Sequence, residues 1–401
     1  MTTPGDVDLV AVVAPRHRAA DLVRGAWDTG RAVTVLDPDA PPAVRARVLA
    51  LVAPTHVADL DGVHPHPDGV PVAPGTAAVV VTSGTTGTPK AVELTVAGAM
   101  TVGAGWSAVL GHEPADRWLL TLPLHHVAGL AVLARSRMTG ADVVVHEGFD
   151  VDAVGLAPRR FGATLVSVVP TMLGRLLDAA APMHEYRGVV TGGAPLPPAL
   201  ADRARVAGVR VYDAYGQSET WGGCVANGTP IPGAAVRLGP ADEIELQGPM
   251  VMRGYRRDPE ATARAFTADG WLRTGDVGRL DDAGRLRVVD RLRDLIISGG
   301  VNVSPVAVEQ VLAGHPGVAD VAVVGAPDPE WGERVVAYVA PVDPGAPPTV
   351  EDLCAFARNH LPAAHLPREV VVTTAVPRSP GGKILRRELR ARSSSSADGV
   401  H

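Results

Sequence analysis

Short runs of β-branched and other apolar residues alternate with stretches of helical length over much of this chain. The runs lie at 77–82, 118–122, 142–145, 165–169, 189–191 and 209–212. Strands that alternate with helices form βα units, and such units assemble into a mostly parallel sheet covered by helices. The spacing therefore predicts an α/β fold, with a large N-terminal domain built of α/β layers.

The spacing changes after about residue 234. Strand candidates follow closely at 234–238, 243–246 and 285–289, which predicts a small β-rich subdomain at the end of an N-terminal domain over 1–290. The segment 290–294, DRLRD, places four charges between two apolar strands, so we interpret residues 291–294 as an exposed hinge.

Another small unit follows the hinge. Helices at 305–312 and 349–360 and strands at 318–324 and 335–341 predict an α+β C-terminal domain over 295–392. The Ser-rich residues 393–401 have no apolar periodicity, and we expect them to be disordered.

Composition and charge exclude several classes of protein. Hydrophobic residues make up 46% of the chain and charged residues 20%, which is typical of globular proteins. With 37 Lys and Arg against 43 Asp and Glu, the net charge of −6 gives no general attraction to nucleic acid or to an anionic membrane. The sequence has no basic leader and no run of about 18 apolar residues, and Cys224 and Cys354 are too far apart for a CxxC motif. We therefore expect a cytoplasmic protein without a nucleic-acid or membrane partner.

One segment has the residue types that bind phosphate. A predicted strand runs into residues 83–90, SGTTGTPK. Glycines let main-chain N–H groups converge on an anion, hydroxyls add donors, and Lys90 adds a positive charge. A merely flexible turn is the alternative, but it does not require this many hydroxyls and a lysine. The segment is not a Walker A loop, because only two residues separate Gly84 from Gly87 and Pro89 precedes the lysine.

The segment 82–90, TSGTTGTPK, resembles the signature loop of the adenylate-forming superfamily, which includes acyl-CoA synthetases and peptide-synthetase adenylation domains. Further segments resemble motifs of that family in the family's order: 123–129 (PLHHVAG), 191–195 (TGGAP), 215–219 (YGQSE), 270–276 (GWLRTGD), 298–302 (SGGVN) and 377–383 (PRSPGGK). The resemblance covers about residues 75–390. It implies that the small C-terminal domain is mobile and that the chain is an AMP-forming acid–thiol ligase.

The resemblance also implies catalytic roles. Lys383 would reach the reacting phosphate when its domain closes about a hinge at Arg293. Glu219, with Thr85, would bind Mg²⁺, because a hard cation on a triphosphate prefers oxygen ligands. His126 would line the acyl pocket close to the reacting group.

Binding roles are implied for further residues. Tyr215 can stack on adenine, and Asp276 can accept hydrogen bonds from ribose hydroxyls. The full set expected to bind ATP or AMP is Thr82, Ser83, Gly84, Thr85, Thr86, Gly87, Lys90, Gly192, Gly193, Ala194, Tyr215, Gly216, Asp276 and Arg291. The CoA path is expected along Ser298, Gly299 and Gly300. The alternative for each is an ordinary structural role, as a turn residue, a core ring or a solvated cation.

Within the superfamily, segments 129–150, 169–173 and 294–300 look like those of o-succinylbenzoate:CoA ligases of menaquinone synthesis. The resemblance implies that this acid and ATP form an acyl-adenylate and pyrophosphate, and that CoA then displaces AMP. A second carboxylate on the acid requires a cation or donors, for which Arg135, Arg175 and His126 are candidates. The partners would be the acid, ATP and CoA, and the sequence leaves room for a homodimer.

Alternative functions stay open. The chain could be an acyl- or aryl-CoA synthetase of other specificity, or an adenylation enzyme that loads a carrier protein. It could also be a non-catalytic nucleotide-binding relative.

Overall fold

Helices and strands alternate along the chain in the computed structural model, which describes residues 6–82, 89–378 and 384–395. The helices are α1 (Arg16–Asp28), α2 (Pro42–Val52), α3 (Val96–Leu110), α4 (Val127–Thr139), α5 (Val151–Phe161), α6 (Pro170–Asp178), α7 (Pro198–Val206), α8 (Pro259–Ala265), α9 (Pro305–Leu312), α10 (Val350–Ala357) and α11 (Arg386–Ser395). None of the helices in these ranges is long and apolar enough to cross a membrane. The predicted α/β fold class is confirmed.

The strands are numbered along the chain. They are β1 (Leu9–Val12), β2 (Ala32–Val35), β3 (His56–Ala58), β4 (Val63–Pro65), β5 (Thr76–Thr82), β6 (Lys90–Thr95), β7 (Arg117–Leu120), β8 (Asp142–Val145), β9 (Leu165–Val168), β10 (Gly188–Gly192), β11 (Val211–Tyr215), β12 (Val225–Ala226), β13 (Thr229–Pro230), β14 (Ala235–Leu238), β15 (Glu243–Gln247), β16 (Gly254–Tyr255), β17 (Leu272–Leu280), β18 (Leu286–Arg291), β19 (Ile296–Ser298), β20 (Val301–Val303), β21 (Val318–Asp328), β22 (Gly332–Pro341) and β23 (Glu369–Val372).

The chain divides into two compact units. Unit 1 contains Met1–Arg237 and Glu245–Thr274, and unit 2 contains Leu238–Ile244 and Gly275–His401. The predicted hinge at 291–294 lies within unit 2. That hinge and the domain boundary at 290 stay predictions.

Unit 1 is built on two seven-stranded sheets, with orders β16-β6-β5-β2-β1-β3-β4 and β13-β12-β11-β10-β9-β7-β8. In the second sheet, β8, β7, β9, β10 and β11 run parallel to one another, whereas β12 pairs with β11 in the antiparallel direction. Helices α5, α6 and α7 cover one face of this sheet with a core that includes Val154, Leu173 and Ala204. Parallel strands end at one edge of a sheet, and that edge is where ligands bind in such folds.

Unit 2 contains a sheet of order β20-β19-β22-β21, with β23 parallel to β22. Successive residues of β21 point to opposite faces, so Val321 and Val323 pack with α9 and α10, whereas Ala322 and Val324 pack with Leu389 of α11. Helix α9 begins at Pro305 with Ser304 as its N-cap, as predicted.

The tail predicted to be disordered, residues 393–401, includes the end of a helix. Helix α11 runs to Ser395, and the hydroxyl of Ser393 is buried 2.6 Å from the Tyr338 hydroxyl. A polar contact with a distant tyrosine therefore orders Ser393, and the pattern of apolar residues in the sequence does not predict it. Residues 396–401 of the predicted tail lie outside the described residues.

Candidate active site

The two ends of the predicted phosphate loop lie opposite each other on paired strands. Thr82 ends β5, Lys90 begins β6, and the two residues are partners in the antiparallel ladder. The intervening segment is therefore the connection of a β-hairpin whose base is fixed by the ladder. The loop residues predicted to bind phosphate are outside the described part of the chain: Ser83, Gly84, Thr85, Thr86 and Gly87.

Lys90 and Glu219 are joined by a residue that the sequence did not single out. The Lys90 ammonium lies 4.2 Å from the centre of the Tyr255 ring, and the Tyr255 hydroxyl donates a hydrogen bond of 2.9 Å to Glu219 Oε1. Burial and the neighbouring Glu219 carboxylate raise the pKa of Tyr255 well above its usual value, so the phenol keeps its proton. The predicted phosphate-binding lysine and the predicted metal-binding carboxylate thus share one aromatic side chain.

Glu219 lies in a short 3₁₀ turn, Ser218–Thr220, that is fixed on both sides. The Gln217 side chain and Thr220 form a reciprocal capping box around the turn. The main-chain oxygen of Glu219 accepts a hydrogen bond of 2.7 Å from the N–H of Met252. The buried Trp221 follows, and its indole donates to the carbonyl of Thr95. The backbone that carries the carboxylate is therefore well anchored.

The donor chemistry fits Mg²⁺ bound mainly through nucleotide oxygens. Glu219 is partly exposed and presents hard carboxylate oxygens, of which Oε1 is held by Tyr255. Across the described ranges, no group of three Asp, Glu, His or Cys side chains could hold an ion without other ligands. Mg²⁺ commonly takes one or two protein carboxylates and completes its shell with phosphate oxygens and water.

The predicted adenine-side residues end two neighbouring parallel strands. Gly192 ends β10 and pairs with Ala214 of β11, and Tyr215 ends β11. A Cβ atom on Gly192 would lie 2.9 Å from the Ala214 carbonyl oxygen, and Gly193 has a φ of +80°. Only glycine fits both positions without strain, which explains the GG pair. Ala194 and Gly216 follow the ends of these two strands, and their contacts with a nucleotide stay a prediction.

His126 is the N-cap residue of α4 and has an exposed edge. Its ring centre lies 4.6 Å from that of His125. Burial lowers the pKa of both rings, and this effect exceeds the opposing influence of the Asp37 carboxylate. Both rings are therefore neutral at pH 7 and can offer a hydrogen-bond donor and acceptor to an acid.

Arg135 is buried inside unit 1 instead of facing an open pocket. Its guanidinium lies 4.7 Å from the Trp106 ring centre and 5.5 Å from that of Trp118, and it donates to the Ser167 hydroxyl at 3.4 Å. Burial lowers the pKa of Arg135 to about 10. The cavity beside it measures about 10 Å³, room for about one water molecule. The other candidate, Arg175, is exposed and stacks on Phe149 at 5.0 Å. The assignment of either arginine to substrate stays a prediction.

Unit 2 brings together Asp276, predicted to bind ribose, and Arg291, another residue predicted to bind ATP or AMP. Asp276 of β17 lies opposite Arg291 of β18, and Arg291 Nε is 3.2 Å from Asp276 Oδ1. The preceding residue, Gly275, has a φ of +68°, and its N–H donates to the Glu243 carboxylate at 2.9 Å. The ion pair orients a buried carboxylate that could accept ribose hydroxyls.

The predicted CoA-path residues form the turn between β19 and β20. Gly299 and Gly300 have φ values of +58° and +77°, and the Gly299 N–H donates to the Trp331 carbonyl at 2.8 Å. Both glycines are exposed, whereas Ser298 is 2% exposed. Their contacts with CoA stay a prediction.

Hydrogen bonds from α9 and α11 hold the predicted hinge segment within unit 2. Asp290 is buried, contrary to the expectation of an exposed turn, because its carboxylate accepts from the Ser304 hydroxyl and the Val306 N–H at the start of α9. Arg390 of α11 donates to the carbonyl oxygens of Arg293 and Asp294 at 3.2 and 3.0 Å. Lys383 lies outside the described residues, but α11 begins three positions after it.

The chain matches two family models. The model described as AMP-binding enzyme matches residues 5–256, and the AMP-binding enzyme C-terminal domain matches residues 307–383. The chain is 39% identical over 332 residues to a Mycobacterium tuberculosis (strain ATCC 25618 / H37Rv) protein named probable 2-succinylbenzoate–CoA ligase, covering 80% of this chain and 86% of the relative. It is 36% identical over 337 residues to the 2-succinylbenzoate–CoA ligase of Bacillus subtilis (strain 168), covering 79% and 68%.

Solved structures with the same fold include two ligand complexes. The o-succinylbenzoate CoA synthetase of Bacillus subtilis with its acyl-adenylate intermediate superposes with a TM-score of 0.84 at 29% identity, covering 96% of this chain and 88% of that one. The same enzyme with ATP and a magnesium ion gives 0.83 at 29% identity, covering 95% and 89%. An amide bond synthetase from Marinactinospora thermotolerans gives 0.83 at 31% identity, covering 98% and 91%.

Proposed function

This chain belongs to the AMP-binding enzyme family, and we propose on that premise that it is the ATP-dependent ligase that joins 2-succinylbenzoate to CoA. The observation that carries the proposal is the identity of 36 to 39% over about four fifths of the chain to relatives named for this reaction. The structural similarity to an enzyme that holds the acyl-adenylate of this acid supports it.

The reaction has two steps. A carboxylate oxygen of the acid attacks the α-phosphorus of ATP, the bond to the β-phosphate oxygen breaks, and pyrophosphate leaves. The CoA thiolate then attacks the acyl carbonyl carbon, and AMP leaves with the electrons of the acyl–oxygen bond. Such phosphoryl chemistry depends mainly on positioning and on neutralising charge.

Residue roles follow from this reaction as proposals. The hairpin connection with Lys90 holds the phosphates, and Glu219 contributes a carboxylate to Mg²⁺, which supplies charge neutralisation when it is bound. Gly192, Gly193 and Tyr215 face the adenine. Lys383 neutralises the charge that develops on the transferred phosphoryl group.

Further roles are assigned in unit 2. Asp276 and Arg291 hold the ribose, and the turn at Gly299 and Gly300 lines the path of CoA. We also propose that residues 291–294 act as the hinge of a mobile C-terminal domain, with Arg293 at the pivot. The Arg390 contacts with the carbonyls of this segment support a link between the pivot and the helix that follows Lys383.

The test measures both steps with a matched pair of acids. Purified protein with Mg²⁺ and ATP should release pyrophosphate on addition of 2-succinylbenzoate, and addition of CoA should yield the thioester by mass spectrometry. The control acid 3-benzoylpropionate lacks the ring carboxylate. It should react with a kcat/KM lower by about 100-fold or more, since a site that pairs with a buried charged group rejects a ligand that lacks it. Equal rates with both acids would refute the specificity and leave the ligase chemistry standing.

The same assay with other acids and other acyl acceptors tests the alternative functions. The similarity to an amide bond synthetase favours including an amine as acceptor in the same assay. If an amine or a carrier protein accepts the acyl group and CoA does not, the ligase assignment is wrong. Nucleotide binding without pyrophosphate release from any acid would identify a non-catalytic relative.

Location and assembly belong to the same proposal. We place the enzyme in the cytoplasm, where ATP and CoA are available, and cell fractionation tests this. We propose a homodimer as its assembly, and light scattering on the purified chain would distinguish a dimer from a monomer.

A further inference from the structure

Tyr255 occupies a position that main-chain hydrogen bonds fix closely. It belongs to β16, the edge strand that pairs with β6, the strand that begins at Lys90. The N–H of Tyr255 donates to the Thr262 hydroxyl at 2.8 Å, and the next residue, Arg256, donates its N–H to the Ala91 carbonyl at 2.7 Å. The same segment donates from Met252 to the main chain of Glu219. Residues 252–256 thus bind both the strand of Lys90 and the turn of Glu219.

The side chain of Tyr255 also contacts both residues, Lys90 through its ring and Glu219 through its hydroxyl. The ring face lies 4.2 Å below the Lys90 ammonium, and the hydroxyl donates to Glu219 Oε1 at 2.9 Å. A cation over an aromatic ring gains about 0.5 to 2 kcal/mol, and a hydrogen bond to a carboxylate gains about 1.5 to 3 kcal/mol. Both interactions restrict long flexible side chains that otherwise sample several rotamers.

We propose that Tyr255 is a positioning residue of the Mg²⁺–ATP site, which fixes the Glu219 carboxylate for the metal and the Lys90 ammonium for the phosphates. The proposal rests on the function proposed above. Tyr255 acts through the two charged residues and not by contact with the reacting atoms. Because its hydroxyl occupies one oxygen of Glu219, it also limits which carboxylate oxygen is available to the metal. A hydrogen-bond partner that orients a metal-binding side chain typically contributes 10- to 100-fold to metal affinity.

The experiment measures nucleotide binding, which does not depend on which acid is the substrate. Calorimetry gives the affinity for ATP with saturating Mg²⁺ and with a chelator, and the ratio of the two affinities is the contribution of the metal. Tyr255→Phe keeps the ring under Lys90 and removes the hydroxyl, so this ratio should fall by about 10-fold. Tyr255→Leu also removes the ring, and it should weaken ATP binding with and without the metal.

A double-mutant cycle separates positioning from general destabilisation. If Tyr255 acts through Glu219, Glu219→Ala lowers the ratio by itself and Tyr255→Phe causes no further fall in that background. Tyr186→Phe is the matched control, because it removes another phenol hydroxyl of unit 1 that donates a hydrogen bond, in this case to the Val154 carbonyl. It should leave the ratio unchanged.

Two results would overturn the proposal: a wild-type ratio in Tyr255→Phe, which includes an equal loss of affinity in both conditions, or an effect that adds fully to that of Glu219→Ala. Failure of the proposed ligase function has a different signature. In that case no acid supports pyrophosphate release, while the binding ratios still report on Tyr255.

Discussion

Arg256 is a buried cation whose removal should destabilise unit 1 by a predictable amount. Its side chain is 3% exposed and forms an ion pair of 3.0 Å with Glu93, which is itself only 14% exposed. It also donates to the carbonyl of Val52 at 2.6 Å and to that of Val70. These carbonyls flank β3 and β4, so one guanidinium ties the N-terminal elements to β6 and β16.

The substitution Arg256→Met keeps most of the apolar length of the side chain and removes the charge. It leaves the Glu93 carboxylate buried without its cation, and breaking a buried pair from one side costs about 3–5 kcal/mol. Adding Glu93→Gln to this variant should recover part of the loss, because the uncompensated charge disappears. The control is Arg264→Met. Arg264 forms an ion pair of 3.6 Å with Glu260, and both side chains are exposed, so the free energy of unfolding should change by less than about 0.5 kcal/mol.

Urea unfolding followed by tryptophan fluorescence would measure the change in free energy. Two compact units need not unfold together, so hydrogen exchange of peptides from 50–72 should accompany the unfolding curves. Exchange in these peptides should become faster in Arg256→Met and stay unchanged in Arg264→Met. An Arg256→Met protein with wild-type stability and wild-type exchange would show that the guanidinium is dispensable, and the reasoning from burial would be wrong.

Two further predictions concern Lys383 and the adjacent histidines His125 and His126. Lys383→Ala should slow pyrophosphate release by about 10² to 10³-fold, while thioester formation from preformed acyl-adenylate stays near normal; equal loss in both steps would instead indicate misfolding. Burial holds the pKa of His125 and His126 below the unfolded value, so the unfolded chain binds more protons and stability should fall as the pH drops below about 6.5. Thermal unfolding from pH 7.5 to 5 measures this slope, which His125→Asn with His126→Asn should flatten.

The sequence predicted those features that depend on interactions between residues close together in the chain. The Ser304–Pro305 pair predicts the start of α9, because the cap and the restricted φ act within one turn. The β-branched run at 142–145 coincides with β8. The close approach of the neighbouring strand requires glycine at Gly192, and a φ of +80° favours it at Gly193.

Residues whose roles depend on distant partners were not predictable in the same way. Tyr255 lies in a two-residue edge strand, and nothing in its neighbourhood marks a phenol that reaches Glu219, 36 positions earlier. Asp290 reads as one charge among four in a surface turn, but its partners lie 14 and 16 positions later. Such residues follow from tertiary contacts, which a single sequence does not display.

Trp331 gives unit 2 a natural optical reporter. The chain has six tryptophans, and Trp331 alone falls within Leu238–Ile244 and Gly275–His401. Its indole lies 3.8 Å from the Arg368 guanidinium, and its carbonyl holds the Gly299 turn. Replacing the other five tryptophans with phenylalanine would leave a single emitter, whose spectrum and quenching would follow the surroundings of that turn in real time during turnover.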